Sequence, residues 1–75
     1  MARCKFKCRS KTEFDEGFSD LHMEITKDES EENIAFFKHS PNGHLNLSFI
    51  KKEIADQIKV GNEYFIDITP VESEE

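Results

Sequence analysis

The chain reads as a small, mainly β domain (β-rich α+β), and three observations support that class. Apolar and polar residues alternate with period two in four separate segments, as in strands with one buried face. Turn-forming residues separate those segments. Helical signals occur in only two places, and both are short. The expected order is β-β-(short helix or turn)-β-α-β. The apolar faces are best buried in a four-stranded curved antiparallel sheet or a small OB-like, partly open barrel; a sheet with the helix across one face is the alternative.

The first strand is expected over 3–11. Arg3, Lys5, Lys7, Arg9 and Lys11 hold alternate positions, with Cys4, Phe6 and Cys8 between them, which makes one face basic and the other apolar. Residues 14–18 read as a tight turn, with Gly17 supplying positive φ. The second strand sends Leu21, Met23 and Ile25 one way and Asp20, His22, Glu24 and Thr26 the other. Ser30 is placed to N-cap a short helix or 3₁₀ turn over 31–37, anchored by Ile34, Phe36 and Phe37. Pro41-Asn42-Gly43 is a turn signal.

The third strand sets Leu45, Leu47 and Phe49 against His44, Asn46 and Ser48. Ile50, Ile54 and Ile58 then recur at helical spacing, so 51–57 is expected as a helix of about two turns. Gly61 falls at its left-handed terminus. In the last strand, 63–69, Tyr64, Ile66 and Ile68 face one way and Phe65 and Asp67 the other; Pro70 stops it.

The 75 residues make one domain over 1–70 with an acidic, mobile tail at 71–75. The net charge is −6, and all 16 acids lie outside the first strand. Such a surface repels nucleic acid and membranes unless a local patch overrides it, and favours a basic partner. No apolar run approaches the ~20 residues of a membrane span, and the N-terminus lacks the apolar core of a signal peptide. Cys4 and Cys8 would stand roughly 13 Å apart on one strand, too far for a disulfide. Free buried thiols fit a reducing cytoplasm.

Catalytic and metal signatures are missing. There is no phosphate-binding loop, nucleophile elbow or zinc-protease helix, and Cys-x₃-Cys on a strand spreads the sulfurs too widely for one tetrahedral zinc. No metal, no cofactor and no enzymatic activity are expected. Two binding surfaces remain. The basic strand could track a phosphate backbone, although Asp20, His22 and Glu24 would neutralise Lys11, Arg9 and Lys7 across a hairpin. The Phe36-Phe37-Lys38-His39 segment could dock on a protein or stack bases, although Ile34 and Phe37 could instead plug the end of the barrel.

Several motifs occur together in order: Cys4-Lys5-Phe6-Lys7, Ser30-Glu31-Glu32-Asn33 with Phe36-Phe37-Lys38, Ser40-Pro41-x-Gly43, and Val60-Gly61-x-Glu63-Tyr64-x-Ile66-Asp67-x-Thr69-Pro70. This set resembles a family of small uncharacterised proteins encoded by bacteriophages and prophages. The resemblance spans most of the chain. It implies a cytoplasmic accessory protein of an infected cell and supplies no catalytic or ligand residues.

The leading expectation is a non-enzymatic phage accessory protein, a monomer or small homo-oligomer, that modulates or inhibits a host protein. Its contact surface would be Asp20, Glu24, Asp28, Glu29, Glu31, Glu32, Phe36, Phe37, Lys38 and His39. The alternative is a single-stranded nucleic-acid binder using Lys5, Lys7, Arg9, Lys38, Phe36, Phe37 and Phe65. A small anionic ligand such as a nucleotide on the same basic strand is a third option.

Overall fold

The computed structural model describes residues 2–27, 30–39 and 41–72. Strands β1 (Ala2–Phe14), β2 (Phe18–Ile25), β3 (His44–Lys51) and β4 (Glu63–Ile68) form one antiparallel sheet in the order β3-β2-β1-β4. Helices α1 (Glu31–Phe36) and α2 (Lys52–Ala55) precede and follow β3. The sheet is curved and unclosed, so both the mainly β class and the element order are as expected. No described helix is long and apolar enough to cross a membrane.

β1 is the spine. It pairs with β4 through residues 2–7 and with β2 through residues 6–14. The register sets Phe6 between Ile25 and Tyr64, Cys8 against Met23, and Cys4 against Ile66. These side chains therefore share one face, the inner one. Cys4, Phe6, Cys8, Leu21, Met23 and Ile25 are buried there, with Phe37, Leu45, Ile50, Ile58, Tyr64 and Ile66 packed around them. Each large apolar side chain buried this way contributes about 1.5–3 kcal/mol. Both thiols are free.

The period-two pattern breaks twice. Between Cys8 and Ser10 the β1–β2 register shifts, so Ser10 rather than Arg9 faces His22, and Thr12 rather than Lys11 faces Asp20. A bulge adds one residue to a strand and so reverses the faces beyond it. Lys11 is carried to the α2 side, where its Nζ donates to the Ala55 carbonyl at 3.0 Å. The basic face expected from alternation thus loses Lys11.

The second shift lies between Ser19 and Leu21, which oppose Ile50 and Leu47. Phe49 occupies the extra position on β3. It adopts φ 61°, and its ring is 77% exposed instead of joining Leu45 on the inner face. Ile50 packs against the core there. The Phe49 amide donates to Asp20 Oδ1 at 3.2 Å.

α1 begins as the sequence suggests, with the Ser30 side chain accepting from the Asn33 amide. Ile34 does not plug the barrel; it is exposed, while Phe37 turns into the core. Residues 41–43 run without a regular element up to β3. The Gly43 carbonyl accepts from the Ile25 amide at 2.9 Å, extending the β2–β3 pairing. α2 is a single turn. Ile50 belongs to β3, Ile54 is exposed and Ala55 is buried instead, so only Ile58 of the helical-looking trio reaches the core from beyond β3. Gly17 (φ 86°) and Gly61 (φ 94°) do take the positive φ their turns require.

Candidate functional site

The outer face of the sheet carries the charged row. Its basic members meet acids on neighbouring strands. Arg3 forks onto Asp67, with Nε to Oδ1 at 2.6 Å and Nη2 to Oδ2 at 3.1 Å. Lys5 reaches Glu63 at 3.4 Å, and Arg9 reaches Glu24 at 3.3 Å. Lys7 lies in register between Glu24 and Glu63. Phe65 sits beneath the Arg3 guanidinium, 4.7 Å from its ring centre. The hydrogen bonds with Arg3 hold the Asp67 carboxyl below the usual aspartate range and raise the Arg3 guanidinium.

His22 extends this mesh. Its ring nitrogens contact Asn46 Oδ1 and Glu24 Oε2, the latter at 3.1 Å. Those hydrogen bonds, Asn46 first and Glu24 second, hold the imidazole above the ordinary histidine range. The Glu24 carboxyl is lowered, first by its bond to His22. Both ring nitrogens are therefore engaged, and among the described residues no hydroxyl or thiol is hydrogen-bonded to either. The imidazole thus bridges Asn46 on β3 and Glu24 on its own strand. No cluster of three or more potential metal ligands occurs among the described residues.

The α1 end is built differently. Asn33 is 1% exposed and takes over where β2 ends: the Thr26 amide still donates to the Lys5 carbonyl at 3.1 Å, and the Lys5 amide turns to Asn33. Its Oδ1 accepts from the Lys5 amide at 2.8 Å, and the two N–H groups of its Nδ2 are shared among the Lys5 carbonyl, the Thr26 carbonyl and Thr26 Oγ1. This anchor lets Glu31, Glu32, Ala35 and Phe36 form an open groove of about 450 Å³ with Ala2 and Arg3. Phe36 leans on Phe37 with ring centres 4.8 Å apart, and Lys38 and His39 follow, exposed. On the inner face, Cys4, Phe6, Phe37, Leu45, Ile66 and Ile68 line an apolar pocket of about 380 Å³. Burial there pushes the Cys4 thiol up.

The structure divides both expected residue sets. Glu31, Glu32, Phe36, Lys38 and His39 lie together at α1, whereas Asp20 lies toward the opposite end of β2 and Glu24 belongs to the outer mesh. Asp28 and Glu29 fall outside the described residues. Of the alternative set, Lys5, Lys7 and Arg9 do share the outer face with Phe65, but Phe37 packs against the core and Phe65 already carries Arg3. Sequence reasoning missed a third feature. Phe14, Phe18 and Phe49 stack in a row, with ring centres 4.7 and 5.0 Å apart. Phe14 and Phe18 flank the hairpin turn and were readable as a pair; the bulge that adds Phe49 left no sequence signal. Comparison with protein-family models, curated proteins and solved structures returns no match for this chain.

Proposed function

We propose that the protein is a non-enzymatic accessory protein of the phage type, acting in the cytoplasm of an infected cell by binding and modulating a host protein. The contact surface is the α1 end, where Glu31 and Glu32 stand beside the exposed ring of Phe36. Charge distribution supports this reading. On the outer face Arg3, Lys5 and Arg9 are each met by a carboxylate, which removes much of the pull a phosphate backbone needs. No ion pair within 4 Å to a described residue involves Glu31 or Glu32; Glu32 shares part of its field with Arg3 across the groove, and Glu31 offers its charge to a basic partner.

The test is a pull-down from host lysate with and without nuclease, comparing the wild-type chain with Glu31→Lys/Glu32→Lys/Phe36→Ala. A protein that survives nuclease and is lost with the variant supports the assignment. Equal capture by both chains removes α1 as the contact. Recovery of nucleic acid alone, weakening steeply as salt rises, transfers the function to Lys5, Lys7, Arg9 and Lys38.

A further inference from the structure

The Phe14–Phe18–Phe49 stack is the largest aromatic feature the core does not absorb. It lies on the outer face because Phe18 shares the side of Asp20, His22 and Glu24 on β2. Its rings are near-parallel, at 19° and 28°. Phe49 reaches it only by adopting a left-handed backbone, a conformation bulky side chains rarely take. Strain of this kind persists where surrounding contacts enforce it, here the Asp20 bond to the Phe49 amide. The result is an exposed apolar ring surface at the hairpin end of the sheet.

Its charge is mainly acidic. Asp15 and Glu16 follow Phe14 in the turn, and Asp20 sits beside the rings. Lys11 bonds Ala55 and Lys52 pairs with Asp56, which leaves Lys51, opposite Phe18, as the cation beside the rings against three carboxylates. The same face shows, at its other end, how this chain covers a ring: Arg3 lies over Phe65 while Asp67 forks its guanidinium. The hairpin end has the rings and the carboxylates but no arginine.

We infer that the Phe14–Phe18–Phe49 stack with Asp15, Glu16 and Asp20 is a docking surface for an arginine-bearing segment of a partner protein. The guanidinium lies over an outer ring as a cation–π contact while a carboxylate accepts its N–H groups. Arginine is favoured over lysine because its planar head stacks and bonds at once. The surface is separate from α1 and stands whether or not α1 binds a host protein.

The test is titration of isotope-labelled protein with a short capped peptide of alternating arginine and glycine, followed by amide and ring NMR signals. Phe14, Phe18, Asp20 and Phe49 should move together. Phe49→Gly, which suits the left-handed backbone, should weaken binding roughly ten-fold. Asp20→Asn keeps an acceptor for the Phe49 amide and should weaken binding more than Glu72→Gln, which removes the same charge beyond β4. The lysine–glycine peptide should bind about three-fold more weakly. Glu31→Lys/Glu32→Lys should leave the hairpin-end shifts in place. The inference is overturned if Phe49→Gly binds like wild type, if Asp20→Asn and Glu72→Gln are equivalent, or if the shifts fall only at α1. It is also overturned if a single-stranded oligonucleotide moves the same rings and the arginine peptide does not.

Discussion

The two ends of β2 solve opposite problems. At the α1 end, β2 stops short and β1 would be left with unpaired backbone. Asn33 fills the gap, accepting from the Lys5 amide and sharing its two side-chain N–H groups among three oxygens, and Phe37 covers the core beside it. At the hairpin end, β2 is flanked on both sides out to Phe18, but a bulge interrupts the β2–β3 ladder, turns Phe49 outward and lines up three rings in solvent. One end spends polar groups on burial, and the other keeps apolar groups exposed. The α1 end is held by a buried amide whose polar atoms are satisfied, and the hairpin end leaves aromatic surface uncovered.

Substitutions at the two ends should therefore differ sharply. The largest effect is expected for Asn33→Ala, which strands the Lys5 amide and the Thr26 carbonyl and should cost about 2–4 kcal/mol in urea unfolding. A loss indistinguishable from an ordinary surface change would refute its role as anchor. Lys11→Met keeps the aliphatic stem but removes the bond to Ala55. It should cost about 1 kcal/mol and free the end of α2 to exchange its amides faster.

Phe49→Gly should change stability by less than about 1 kcal/mol, since relief of the left-handed backbone offsets the lost stacking. A large destabilisation would place Phe49 among the structural residues and erase the contrast. The smallest effects concern pH. Glu24 and Asp67 have lowered folded pKa values, so what they contribute is present above their ordinary values of 4.5 and 3.8 and fades as pH falls through the lower folded ones. His22 has the opposite sign. Its contribution is complete below its ordinary value of 6.5 and disappears as pH rises through the raised folded value. Melting curves across pH should show a shallow acid loss that Asp67→Asn reduces, and a shallow loss as pH rises past 6.5 that His22→Gln abolishes.

Much of the fold was legible because alternation encodes burial directly. Cys4, Phe6 and Cys8, and likewise Leu21, Met23 and Ile25, could face only one way once strands were assumed. The Ser30 cap and the glycine turns were readable for an equally local reason. What stayed hidden was non-local. A bulge depends on how two strands accommodate each other, so neither the inward turn of Lys11 nor the outward turn of Phe49 could be read from its own strand. Asn33 looked like one more polar residue in an acidic stretch; its importance arises only from where β2 ends. The site was legible in part: Glu31, Glu32 and Phe36 do sit together, while Asp20 and Glu24 do not join them.

The position of β1 bears on the order of assembly. The first strand lies at the centre of the sheet, and one of its two neighbours, β4, comes from the far end of the chain, with Ala2 opposite Ile68. During synthesis β1 can fold back on β2, and β3 can then join them by a longer connection. The other edge of β1, through residues 2–7, must wait for the last strand to emerge. Of these four strands, the earliest in sequence is therefore completed by the latest, and that edge requires the longest loop closure in the sheet.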